Sequence, residues 1–318
     1  MAEIEENQTS ERKTYNRFTV QMAINIAAPH TWPAAIMPCL IAVAAAITNG
    51  YHISVVMAFD LLAISILMQA AVNTFNDYYD CIKGTDSKED DVDPSDAVLI
   101  YNNVNPKSAL RLAIGFLVVA FIIGAYVVFM AGIIPLIIAI IGAFFVVVYS
   151  AGKTPISYLP VGEIVSGVVM GGLITLASYQ ALTLDFTFLA LVWALPTIIG
   201  VGLIMFTNNT CDIERDTETG RHTLPVTLGR EKARNLYHGC LYAMIIAIGV
   251  ITGCFFTSGL IVMPFLLLAS YPIVKALVMN PLDSTHRIQA MSQVLSVNIV
   301  LEAFYIACIL AGNHAFFM

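Results

Sequence analysis

The sequence predicts an all-α polytopic membrane protein, with about nine transmembrane helices gathered in one bundle. Three observations carry this: a charge-poor composition, a succession of apolar runs of spanning length, and a one-sided distribution of basic residues. Of 318 residues, 58% are hydrophobic and 12% charged, and the mean hydropathy is +0.79. That balance is unsuited to a soluble globule and suited to a chain solvated by lipid. A spanning helix needs about 20 mostly apolar residues to cross roughly 30 Å of hydrocarbon. Expected spans lie at 22–48, 53–76, 109–131, 133–150, 161–183, 187–208, 235–257, 259–279 and 289–312.

In chain order, residues 1–20 come first as a polar, acidic tail, "MAEIEENQTSERKTYNR" and onward. It lacks the short apolar core and small-residue cleavage site of a signal peptide and is too acidic for a transit peptide, so it is expected to be retained. Residues 21–318 are expected to form a single transmembrane domain, with the third and fourth spans separated only by Gly132 and Pro135. With nine spans, all 15 Lys and Arg fall on the face that holds the N-terminus. These are Arg12, Lys13 and Arg17 in the tail, then Lys83, Lys88, Lys107 and Arg111 after span two, and Lys153 after span four. Arg215, Arg221, Arg230, Lys232 and Arg234 follow span six, and Lys275 and Arg287 follow span eight. The positive-inside rule places that face in the cytoplasm and the C-terminus outside, as in a multi-pass protein of the cell (inner) membrane. The formal charge of −7 sits in connecting loops; the lipid bilayer is the expected partner, and neither a nucleic acid nor a protein partner is implied. Six Cys without a CxxC spacing argue against a zinc site or a disulfide framework. Cys81 and Cys211, beside the acid clusters, are expected as small buried hydrophobes.

Two acid clusters end apolar runs on the same face: "NTFNDYYD", Asn73 to Asp80, after span two, and "NNTCDIERD", Asn208 to Asp216, after span six. On a continuing helix Asn73, Asp77 and Asp80 are spaced i, i+4, i+7, and Asn209, Asp212 and Asp216 are spaced i, i+3, i+7. Two carboxylates about 5 Å apart repel by roughly 3 kcal/mol at an effective dielectric of 20. The helix C-terminus disfavours anions as well. A bound cation offsets both penalties, and oxygen donors without His or Cys select Mg²⁺ or Ca²⁺ over zinc. Asn and Asp also serve ordinary turns, but two matched clusters on one face favour a metal site. Lys83, Lys153 in "YSAGKTP" and Arg221 in "DTETGRHTLP" add positive charge at the same mouth. Each alone reads as a topology anchor; with the acids they suit an inorganic diphosphate.

"NTFNDYYDCIKGTD" and "NNTCDIERDTETGRHTLPVTLGREKARNLY" resemble the paired Asp-rich motifs of the intramembrane aromatic prenyltransferases, the UbiA superfamily. With "YSAGKTPISYLPVGE", the second stretch is most similar to the branch that prenylates 1,4-dihydroxy-2-naphthoate in menaquinone synthesis. The resemblance implies nine transmembrane helices and a Mg²⁺-dependent transfer of a polyprenyl group from polyprenyl diphosphate to an electron-rich aromatic acceptor. It implies that Asp77, Asp80, Asp212 and Asp216 are catalytic and, with Asn73 and Asn209, hold Mg²⁺ on the diphosphate. Lys153 and Arg221 match phosphate-facing cations, and Asp86 in "KGTD" matches a further acid of the first motif; Lys83 joins them as a substrate contact. Tyr149, with Tyr78, Tyr79 and Tyr158, is a candidate by location to shelter an allylic cation.

The chain departs from the family pattern twice. Ala28 stands where an Arg usually precedes the Pro that opens span one, with His30 just beyond Pro29. The stretch "DSKEDDVDPSDAVLIYNNVNPKSA" lacks the usual basic residue and Ser-Gly pair. The acceptor therefore stays open among aromatic quinone precursors. Asp60 and Glu302 fall within spans, and intramembrane carboxylates are functional candidates by default; Asp60 is expected near the outer interface in a structural role. An ion-coupled transporter using Asp77, Asp212 or Glu302 would place its polar groups near the bilayer midplane, whereas the two clusters lie at one interface. An alcohol phosphotransferase would need an Asp-Gly followed by Ala-Arg, which is absent from the sequence.

Overall fold

A computed structural model describes residues 15–84 and 98–312, and these are helical with no strand among them. The principal helices are α1 (Val20–Ala27), α2 (Pro33–Thr48), α3 (Val55–Lys83), α4 (Pro106–Ala131) and α5 (Ile133–Ser150). They continue as α6 (Gly162–Thr183), α7 (Leu195–Cys211), α8 (Arg230–Phe255), α9 (Met263–Met279) and α10 (Arg287–Ala311). Among the described residues, seven helical segments are long and apolar enough to cross a membrane; α1 and α2 together make an eighth, and α7, with 17 residues, is shorter. Together they occupy all of the expected apolar runs. The outward faces are apolar where lipid would lie, with Phe129, Leu268 and Met279 each more than two-thirds exposed.

Local chemistry explains the boundaries. Ser54 caps α3 by accepting from the Met57 amide, and Gly84, at φ +69°, ends it in the left-handed conformation that favours glycine. Asn105 caps α4 ahead of Pro106. Gly132, at φ +84°, supplies the sharp connection between α4 and α5 that their proximity in sequence demands.

The first span is broken rather than straight. Its two helical pieces meet at 54°, because Ala28 adopts φ +47° and Pro29 and Pro33 cannot continue the backbone ladder. The Trp32 indole donates to the Ala27 carbonyl at 2.9 Å and pins the corner. The tail is tied to the segment ahead of α4, since Asn16 Nδ2 donates to the Asn102 carbonyl at 2.8 Å.

Helices α6 and α7 cross closely over Gly167 and Gly171. A Cβ at 171 would stand 2.6 Å from the Ile198 nitrogen, so only glycine lets the two backbones meet there. The same stretch, Gly167–Leu173, widens locally into a π-helix, a form associated with functional sites. The crossing sets the position of the end of α7, and with it the second acid cluster.

Candidate active site

The two acid clusters converge on one cavity of about 220 Å³. Its polar rim carries Asn73, Asn76, Asp77 and Asp80 from α3, Asn208 and Asp212 from the end of α7, and Arg287 from the start of α10; Arg215 and Arg221 from the segment between α7 and α8 complete it. Its apolar wall includes Ile26, Met170, Ile204, Met205 and Met291. An apolar cavity of about 110 Å³ between α3, α4, α5 and α6 shares Gln69 and Met170 with it.

The first cluster behaves as its spacing implies. Helix α3 runs unbroken through Lys83, so Asn73, Asp77 and Asp80 share a face and all three line the cavity. Asn73 is oriented by the broken span: its Nδ2 donates to Thr31 Oγ1 at 2.8 Å and to the Ala27 carbonyl at 3.1 Å. Gln69 donates to Asn73 Oδ1 at 3.3 Å. Asn76 accepts from the Ser150 hydroxyl, which ties α3 to the end of α5.

The second cluster does not keep one helical face. Helix α7 stops at Cys211, and Asp212, at φ −100° and ψ 17°, links it to a separate short helix, Ile213–Glu218. Asn209, still within α7, lies outside the cavity lining and donates to Glu163 Oε1 at 2.8 Å, both side chains being buried. Asn208 takes its place on the rim, at the same i, i+4 distance from Asp212 that separates Asn73 from Asp77. That repeated Asn-x-x-x-Asp spacing is the signal in the sequence that marks Asn208. Asp216 is buried behind the rim, where it accepts from the Thr223 hydroxyl at 3.2 Å and lies 3.7 Å from Arg221 Nη1. Burial pushes its carboxyl up to about 6, while the Arg221 guanidinium pulls it back.

Two guanidinium groups hold the acids of the rim. Arg221 Nη2 donates to Asp80 Oδ1 at 2.9 Å while its Nη1 faces Asp216, so one side chain spans both motifs. Arg287 donates from Nε to Asp212 Oδ2 at 3.1 Å and from Nη2 to Asn208 Oδ1 at 2.6 Å. Arg287 reads in sequence only as a topology anchor, because the acid it serves is distant along the chain. The Tyr158 ring lies between Lys83 Nζ at 4.9 Å and Arg221 at 4.8 Å, an arrangement favoured by the ring's quadrupole.

The other expected residues among those described fall outside the cavity lining. Lys83 turns to the end of α5 and donates to the Ser150 carbonyl at 2.9 Å. Lys153 is exposed in the turn after α5. Tyr149 is buried against Gly162, and Tyr78, Tyr79 and Tyr158 are likewise absent from the lining. Asp86 lies outside the described residues. Of the first span, Ala28, His30 and Thr31 do reach the cavity.

The donor set is carboxylate and amide oxygen, which fits a hard divalent cation. Among the described residues no three His, Cys, Asp or Glu gather into a closed cluster. An open set of this kind suits Mg²⁺, which commonly uses one or two carboxylates together with substrate phosphates.

The profile of the UbiA prenyltransferase family matches residues 35–299. The 1,4-dihydroxy-2-naphthoate octaprenyltransferase of Bacillus subtilis is 30% identical over 68% of this chain and 68% of its own. The enzyme of that name from Mycobacterium tuberculosis is 30% identical over 78% of this chain and 84% of its own. A UbiA homolog from Archaeoglobus fulgidus, solved with DMAPP and Mg²⁺, superposes with a TM-score of 0.59 at 16% identity, over 92% of this chain and 98% of that one.

Proposed function

The chain belongs to the UbiA prenyltransferase family, and on that footing we propose that it transfers a polyprenyl group from polyprenyl diphosphate to 1,4-dihydroxy-2-naphthoate. One observation carries the reading: Asp77, Asp80 and Asp212, from helix ends far apart in sequence, line a single cavity with Arg221 and Arg287. The named relatives at 30% identity support the choice of acceptor.

Asp77, Asp80 and Asp212, with the amide oxygens of Asn73 and Asn208, would hold Mg²⁺ on the diphosphate. When bound, the ion neutralises charge that grows on the diphosphate as the allylic C–O bond breaks. Arg221 and Arg287 add fixed positive charge at the same place, and donors aimed where charge develops lower the barrier to ionisation. Asp216 keeps Arg221 oriented from behind. The aromatic ring supplies the electron pair for the new C–C bond and loses a proton; a protein nucleophile has no part in this. The isoprenoid tail enters the apolar cavity beyond Gln69 and Met170. The site is read as opening to the cytoplasm from the cell (inner) membrane, a placement that the segregated basic residues support.

The test is transfer of a radiolabelled isoprenoid from its diphosphate to dihydroxynaphthoate by the purified full-length protein. EDTA is expected to abolish transfer and added Mg²⁺ to restore it. Asp77→Asn and Asp212→Asn are each expected to lower kcat/KM at least about a hundredfold. Full activity in either variant would remove the assignment.

A further inference from the structure

Below the diphosphate-binding rim, α10 carries two buried polar side chains that the reaction described above does not use. Asn298 is 6% exposed and Glu302 is 3% exposed, one helical turn apart on the face turned to α7. Their carboxamide and carboxylate oxygens converge on Gly200. A Cβ there would stand 2.9 Å from Glu302 Oε1 and closer still to Asn298 Oδ1, so glycine leaves the room they need. Asn298 Nδ2 is committed to the Gly200 carbonyl at 3.1 Å. Its Oδ1 has no hydrogen-bond partner among the described residues. A buried acceptor left in that state costs about 1–3 kcal/mol, and a carboxyl at this depth costs more unless it is paired or neutral.

Both side chains line a niche of about 10 Å³, near the space that one water molecule or one hydroxyl group occupies. No Lys, Arg or His lines it. Ala34, Val201 and Ile204 line both the niche and the main cavity, so the two spaces adjoin along these side chains. Met291 of the main cavity and Asn298 of the niche lie about 10 Å apart along the helix axis. A two-ring aromatic between them would sit below the diphosphate with one edge at the niche.

The niche offers an unpaired carboxamide oxygen beside a carboxyl group with no cation near it, and a hydroxyl group fits both, since it can donate to the first and exchange a hydrogen bond with the second. We infer that the Asn298–Glu302 niche binds a ring hydroxyl of the aromatic acceptor, orienting the ring beneath the allylic carbon. The inference rests on the prenyltransferase reading above and adds to it the side chains at the deep end of the site that recognise a ring hydroxyl.

The test is steady-state kinetics of Glu302→Gln and Asn298→Ser in the full-length protein, with dihydroxynaphthoate and with its mono-O-methyl ethers as acceptors. A site built to hydrogen-bond a hydroxyl rejects the analogue that lacks it, so wild type should discriminate against one ether and each variant should lose at least about tenfold of that discrimination. The acceptor KM should rise while the prenyl diphosphate KM stays within about twofold. Unchanged acceptor KM and discrimination in a folded variant overturns the inference, as does a higher melting temperature with unaltered acceptor kinetics, which marks a carboxyl that merely fills the niche. Should Glu302→Gln fail to accumulate, Asn298→Ser gives the same readout. Wild-type protein that transfers to no aromatic acceptor removes the prenyltransferase reading itself; wild-type transfer with indifferent variants removes the niche alone.

Discussion

Asn208 and Asn209 stand side by side, and exchanging their roles is the sharpest test of the site. Asn209→Ala removes a 2.8 Å hydrogen bond to Glu163 between side chains only 6% and 3% exposed. A buried hydrogen-bonding group left without its partner costs about 1–3 kcal/mol. Glu163 keeps a backbone hydrogen bond from Leu224, so the stranded carboxylate is partly compensated and a loss of about 2 kcal/mol is expected. For a chain of this size that corresponds to an apparent melting temperature lower by roughly 4 °C. Asn208→Ala acts elsewhere: its oxygen holds Arg287 at 2.6 Å on the cavity rim, and the side chain is half-buried. Stability should hardly move, while kcat/KM for the prenyl diphosphate falls about tenfold, equal to about 1.4 kcal/mol. The assay is thermal unfolding of the detergent-solubilised protein, paired with Mg²⁺ titration of activity. An Asn209→Ala protein with an unchanged melting temperature and a large rise in half-saturating Mg²⁺ would refute the reasoning. It would restore Asn209 to the metal.

Three further outcomes follow. Arg221→Lys replaces a fork that reaches Asp80 and Asp216 with a single point charge, so kcat/KM should fall at least about tenfold, and steady-state kinetics within threefold of wild type would contradict the bridging role. Gly171→Ala forces α6 and α7 apart at Ile198 and should cost about 1–3 kcal/mol, seen as a lower melting temperature, whereas Gly124→Ala, with open space around it, should be tolerated. Lys153→Ala, at an exposed turn outside the cavity, should leave activity within about twofold of wild type, and a larger loss in the prenyl-transfer assay would return Lys153 to the substrate.

The parts of the molecule legible in the sequence are those that depend on local periodicity. Apolar runs locate the helices because lipid tolerates little else, and the Asn73–Asp77–Asp80 face is readable because α3 continues unbroken past it. The break in the first span is foreshadowed by Pro29 and Pro33, yet its angle and the left-handed Ala28 depend on packing. The second cluster defeats periodicity, because a single non-helical residue, Asp212, takes Asp216 out of register, while Asn209 lies on the face of α7 that bonds Glu163. Arg287 was invisible for another reason: its partner is 75 residues away, and a basic residue at a loop satisfies the topology rule whatever else it does. Lys83 and Lys153 show the converse, being cations near the mouth that the fold directs elsewhere.

The guanidinium groups of Arg221 and Arg287 keep the facing carboxylates neutralised even when the cavity has no cargo. A lone divalent ion arriving there must displace a resident countercharge and strand an arginine. An ion escorted by a diphosphate brings anionic oxygens that can take over each released arginine, so the swap leaves every charge matched. The architecture thus favours joint arrival over stepwise loading, and calorimetry should find Mg²⁺ binding feeble alone and strong beside pyrophosphate.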